Sequence, residues 1–227
     1  MYGYGYQYLY YILPGLIITM IAQAKIKSAY EKYRKVDSET GLTGAEVARI
    51  IMDRNGLTNI SILETSGTLS DNYDPSKKTL NLSRDVYYGN SVASLSIAAH
   101  EVGHALQDAT DYFPLKIRGI LVPAASIGSR LSMVFIVIGL ISSIFFVKLG
   151  VALFAIAVLF QIVTLPVEFN ASKRAEVELG NAILKPEKME GTRKVLSAAA
   201  LTYVAATLVA IGELLRLLAI LGNRRRD

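Results

Sequence analysis

Hydrophobic and polar positions divide the chain into long uncharged runs at both ends and a mixed segment between them. Tyr6 to Ala24 carries no charge and is about long enough to cross a bilayer as a helix. Tyrosines at 2, 4, 6, 8, 10 and 11 fit an interfacial aromatic belt at its outer end. Lys25, Lys27, Lys32, Arg34 and Lys35 follow at once, which puts that end on the cytoplasmic side. The opening residues have no positive leading segment and no small-residue cleavage site, so the run reads as a span and not as a removed leader. Leu131–Val147 and Leu149–Val167 are also free of charge, with Lys148 between them, and read as a transmembrane hairpin that returns the chain to the side it left. The last apolar stretch starts at Leu196 and encloses Glu213 and Arg216, one helical turn apart. It reads as a fourth span or as an interfacial helix. A span would put Arg224–Arg226 outside, against the usual bias of basic residues.

The mixed segment, 25–117, has the periodicities of a folded domain. In TGLTGAEVARIIMDRNGL, Thr43 and Glu46 form a capping-box pair, apolar positions recur at 47, 50 and 51, and Gly56 is a stop signal. NISILET, GTLSDNYD and KKTLNLS read as three short strands parted by Gly and Asp-Pro turns. VASLSIAAHEVGHALQDA then has helical character, no proline, and Asn90 and Ser91 as candidate N-caps. Gly103 is a weak helix former in mid-run, a place where a missing side chain would let another element pack close. The predicted organisation is an N-terminal span (1–24), this domain (25–117), the hairpin (118–167), a helix (168–194) and a last transmembrane or interfacial helix with a basic tail (195–227).

Composition agrees with a membrane protein carrying one folded domain: 52% of residues are hydrophobic, and the net charge of +5 sits largely at the ends of apolar runs. Basic residues placed there flank a bilayer and do not form a nucleic-acid surface. The absence of cysteine excludes a disulfide scaffold and any thiolate metal site.

The only two histidines in the chain are His100 and His104, with Glu101 between them. Residues four apart share one helix face, so both imidazoles can reach one metal ion, and Glu101 can reach a water beside it. H-E-x-x-H is the zinc-peptidase pattern, in which the histidines are ligands and the glutamate is the general base. A small sheet followed by such a helix is the element order of a zincin-like peptidase, whose sheet edge can hold an extended peptide. A catalytic zinc takes three protein ligands and keeps one open position. With no histidine left, the third is a carboxylate: Glu168, the first charged residue after the hairpin, or its rivals Asp108, Asp111 and Glu176.

At these residues the chain resembles the YugP-like neutral zinc metallopeptidases, small bacterial membrane proteases, and more distantly the HtpX-type and CAAX-prenyl-protease-type membrane metallopeptidases. LSDNYDPSKKTLNLSRDVYYGNSVASLSIAAHEVGHALQDA and LPVEFNASKRA carry the likeness, which covers nearly the whole chain. The resemblance implies a mainly helical α+β protein with a gluzincin-type catalytic domain and three to four transmembrane helices. It implies one zinc ion per chain, held by His100, His104 and Glu168, with Glu101 as base. HtpX-type relatives continue the third ligand as E-x-x-A-D, and EFNAS puts Ser172 where their aspartate stands. Asp108 is a candidate partner for the outer nitrogen of a bound histidine. Arg174 is a candidate oxyanion stabiliser, or simply a membrane-flanking base. The expected activity is endoproteolysis of membrane or membrane-proximal polypeptides, in a multi-pass protein of the cell membrane with its catalytic domain on the cytoplasmic side and no nucleic-acid partner. Two alternatives stand beside it. One is a non-catalytic scaffold stabilised by zinc; the other is a transporter using Glu213 and Arg216.

Overall fold

A computed structural model describes residues 9–223. Tyr2, Tyr4, Tyr6 and Tyr8 of the aromatic belt, the first residues of the Tyr6–Ala24 run, and Arg224–Arg226 lie outside the described residues. The elements are α1 (Leu9–Tyr33), α2 (Gly44–Arg54), β1 (Ser61–Thr65), β2 (Asn72–Asp74), β3 (Thr79–Ser83), α3 (Arg84–Tyr87), α4 (Val92–Ala109), α5 (Phe113–Ile141), α6 (Ile144–Gly180) and α7 (Pro186–Asn223). The chain divides into two compact units, one of Gln23–Leu115 and Val167–Leu201, the other of Met1–Ala22, Lys116–Pro166 and Thr202–Asp227.

The first unit holds the mixed segment. Thr43 caps α2: its side chain accepts from Glu46 N, and Glu46 answers with a bond from Thr43 N at 2.8 Å. Gly56 follows the helix end at φ 72°, a left-handed step that glycine takes without strain. The strands lie in the order β1-β3-β2, with β1 parallel and β2 antiparallel to β3. Asp74 builds the β2–β3 turn by accepting from Ser76 N and Lys77 N. Of the expected GTLSDNYD strand only Asn72–Asp74 pairs. The residues before it turn at Gly67 (φ 105°) and Leu69 (φ 54°), and the Asp71 carboxylate accepts from Ser83 N at 2.7 Å in place of a ladder bond.

Val47, Ile51 and Met52 of α2, Leu80 and Leu82 of β3, and Leu95, Ala99 and Val102 of α4 form one closed core with Leu179 and Leu196. Burial of this kind contributes about 25 cal/mol per Å² of apolar surface. It also fixes which face of α4 is left for polar side chains. Ser91 caps α4, its hydroxyl accepting from Ser94 N at 3.1 Å. The chain leaves α4 through Asp111 (φ 53°) and enters α5 at Phe113-Pro114, where proline's missing N–H costs no helix bond.

In the second unit the hairpin turn falls at Ser142–Ser143, not at Lys148. Ser142 Oγ donates back to Ile138 O at 2.9 Å, and Ser143 Oγ accepts from Phe145 N at 3.3 Å, so the two serines satisfy backbone groups at adjoining helix ends. Lys148 lies inside α6 with its side chain exposed, because a long stem lets a lysine ride on a helix face. Close helix contact uses small residues: a Cβ on Gly150 would sit 2.7 Å from Ser132 O. Glu213 and Arg216 pair on α7, with Arg216 Nε donating to Glu213 Oε2 at 2.9 Å. Among the described residues, four helices are long and apolar enough to cross a membrane: Tyr10–Tyr33, Phe113–Ile141, Ile144–Gly180 and Pro186–Gly222. The protein is mainly helical, with one small three-stranded sheet.

Candidate metal centre

The candidate centre forms where α4 crosses α6 within the first unit. Gly103 sets how closely they approach: a Cβ there would stand 2.5 Å from the carbonyl oxygen of Ala171. The glycine is unfavourable for α4 alone but lets the two backbones touch. One turn of α4 to either side then faces the same stretch of α6.

His100 and His104 present their Nε2 atoms to one oxygen, Glu168 Oε2, at 3.3 and 3.6 Å. The rings stand nearly perpendicular, with centroids 4.9 Å apart. One ligand atom from each of the three residues falls within 4.8 Å of the others. Among the described residues this is the one group of three or more such side chains gathered this closely, and Asp108, Asp111 and Glu176 are outside it. Two imidazoles and a carboxylate are a borderline-soft donor set suited to zinc, and three protein ligands leave a position open. Glu168 is only 2% exposed, a costly place for a carboxylate unless positive charge accompanies it. The residues present therefore fit a divalent metal.

The electrostatics point the same way. Burial disfavours a charged His104, yet its hydrogen bond to Glu168 and the carboxylates of Glu101 and Glu168 outweigh this and raise its pKa above the ordinary imidazole value. The pocket is arranged to hold positive charge. Burial likewise raises Asp71, against the bonds it accepts from Ser83, and the negative charge of Glu101 adds to the shift. Among the described residues no hydrogen bond or ion pair ties the Glu101 carboxylate, so it is available to an incoming group.

The outer nitrogens of both histidines have partners. Ser172 Oγ lies 3.1 Å from His100 Nδ1, so the serine that departs from the E-x-x-A-D pattern still contacts the site. Gln107 Oε1 lies 3.0 Å from His104 Nδ1, the place expected for Asp108. Asp108 instead accepts from Tyr73 OH at 2.7 Å and from Lys78, tying α4 to the β2–β3 hairpin. Arg174 donates to Asn170 Oδ1 at 2.9 Å and to Thr110 Oγ1 at 3.1 Å. Its guanidinium thus binds α4 and α6 together. Gln107 and Asn170 were missed by the sequence reading. The available signal was a glutamine three residues after a candidate ligand, on a largely apolar helix.

The family described as "Putative neutral zinc metallopeptidase" matches residues 8–222. The chain belongs to that family. It is 44% identical to the "Putative membrane protease YugP" of Bacillus subtilis (strain 168), over 97% of this chain and 99% of that protein. No solved structure matches the chain significantly.

Proposed function

We propose that the protein is a membrane-embedded zinc metalloendopeptidase that hydrolyses peptide bonds of membrane or membrane-proximal polypeptides. The observation that carries this reading is the convergence of His100, His104 and Glu168 on one point, beside a Glu101 carboxylate that no other described residue holds. Family membership and the relative's printed name support it. His100, His104 and Glu168 would hold the metal, which when bound supplies a Lewis acid for the scissile carbonyl and makes a nearby water easier to deprotonate.

The remaining work falls to the chain. Glu101 accepts a proton from the attacking water as its oxygen adds to the carbonyl carbon. As the C–N bond breaks, the same carboxyl delivers that proton to the departing amine, which leaves Glu101 ionised for the next cycle. The small sheet offers exposed edges, β1 and β2, along which an extended polypeptide can add as a strand. Lys25, Lys27, Lys32, Arg34 and Lys35 favour a cytoplasmic catalytic unit.

The test is a pair of proteins in detergent, wild type and Glu101→Gln, each assayed for bound zinc and for cleavage of an unfolded membrane-protein substrate. Both should carry about one zinc, and the variant should lose about 100-fold or more of the cleavage rate. Zinc in both with cleavage by neither across a broad substrate panel would move a zinc-stabilised scaffold ahead.

A further inference from the structure

Two groups near the metal centre have a hydrogen-bonding polarity that cannot be reversed, and they fix the polarity of everything between them. The carbonyl oxygen of Val167 can only accept; the guanidinium of Arg174 can only donate. Gln107 places one end of its amide 2.7 Å from Val167 O and 3.0 Å from Asn170 Oδ1. That end is the NH2, since an oxygen there would face a carbonyl at contact distance with no proton between them. Arg174 Nε donates to the same Asn170 Oδ1 at 2.9 Å, which holds the Asn170 oxygen, not its nitrogen, toward Gln107.

The other end of the Gln107 amide is therefore its oxygen, and it lies 3.0 Å from His104 Nδ1. An acceptor at that distance calls for a proton on Nδ1. A neutral imidazole carries one proton, so Nε2 is left with the lone pair that a metal requires, and Nε2 is the atom turned toward Glu168. Gln107 is fully buried, so water does not stand in for any of these partners. His100 differs. Its Nδ1 meets the Ser172 hydroxyl, which rotates to donate or accept and imposes neither tautomer.

We propose that Gln107, oriented by Asn170 and Arg174, is a positioning residue that locks His104 in its Nδ1-protonated tautomer and so presets Nε2 as a metal ligand. This rests on the reading of His100, His104 and Glu168 as a metal centre. It assigns the two histidines different roles: His104 is held fixed and His100 adapts.

The experiment uses the full-length protein in detergent. Zinc affinity is measured by chelator competition for wild type, Gln107→Met, Gln107→Glu and Ser172→Ala, with the melting temperature of each metal-free protein as a fold control. Gln107→Met fills the space without an acceptor and should weaken zinc binding about 10–100-fold. Gln107→Glu, held as the neutral acid with its O–H donating to Val167 O, restores an acceptor oxygen at Nδ1 and should recover most of that loss, whereas Ser172→Ala should cost less than Gln107→Met. A purely structural role would instead move affinity in step with melting temperature and give no recovery with glutamate. Because the chain has only two histidines, 15N-histidine NMR of the zinc-loaded wild type reads the tautomers without any substitution. A protonated Nδ1 on His104 with metal on Nε2 is expected. Coordination through Nδ1, or a Gln107→Met protein that binds zinc as tightly as wild type, overturns the proposal alone. A wild type that binds no zinc overturns the metal-centre reading and the proposal with it.

Discussion

At the scale of single residues, the centre is an arrangement of charge more than of shape. Glu168 is buried against two imidazoles, and its carboxylate, with that of Glu101 nearby, makes a cation welcome there. Glu168→Gln keeps the volume and removes the charge. Zinc affinity should fall by more than about 100-fold, beyond the loss expected for residues that only orient a ligand. Equilibrium dialysis of the detergent-solubilised variant reads this directly, and near-normal binding would remove Glu168 from the ligand set. The histidine pair was legible in the sequence because helical spacing alone puts both imidazoles on one face, and Glu101 because the H-E-x-x-H pattern marks it. Gln107 was not, because its spacing three residues after His104 does not say which way its amide points. Only the position of Val167 and Asn170 on α6 gives its amide a direction.

At the scale of elements, the site depends on how α4 meets α6. Gly103→Ala adds a methyl group against the Ala171 carbonyl, a backbone atom that cannot rotate away. The variant should lose about 1–3 kcal/mol of stability and bind zinc more weakly, because Glu168 moves with its helix. Thermal unfolding beside zinc titration separates the two effects; an unchanged melting temperature would mean that α6 is free to shift. The N-terminal end of α7 is tied elsewhere. Glu39 accepts from Lys188 at 2.7 Å and from Lys185 at 2.9 Å, and these two bonds, with the lysine charges, lower its pKa to about 2. A lowered carboxylate pKa contributes stability that is fully present above the ordinary value near 4.5 and is lost as pH falls through that value toward 2. The melting-temperature gap between wild type and Glu39→Gln should therefore be constant from pH 7 down to about 5 and close below it. Because Glu39 and Lys185 are exposed, the gap should also shrink in high salt.

At the scale of the whole molecule, four candidate spans and one mixed unit make sidedness the open prediction. The chain has no cysteine, so a single introduced cysteine reports its own location without background. Lys77→Cys, in the β2–β3 turn, should react with an impermeant thiol reagent only when the cytoplasmic face is opened. Ser142→Cys, in the turn between α5 and α6, should react from outside. Labelling of Lys77→Cys in intact cells would reverse the orientation drawn from the lysines after the first span.

The sequence by itself determined what depends on near neighbours. Uncharged runs gave the candidate spans, the Thr43–Glu46 box gave the start of α2, Gly and Asp-Pro turns parted the strands, and His100-Glu101-x-x-His104 gave the face that could hold a metal. Each is set by interactions within about one turn or one strand pair, so spacing encodes it. The tertiary structure decided what depends on which backbones touch. It put the hairpin turn at two serines whose hydroxyls satisfy helix ends, cut β2 to three residues because Asp71 bonds Ser83, and gave the His104 partner's place to Gln107. It also gathered Glu168, and not Asp108, Asp111 or Glu176, with the histidines. A carboxylate 64 residues beyond His104 shares no local period with it. What joins them is the close approach of α4 and α6 at Gly103, and that approach exists only in the folded chain.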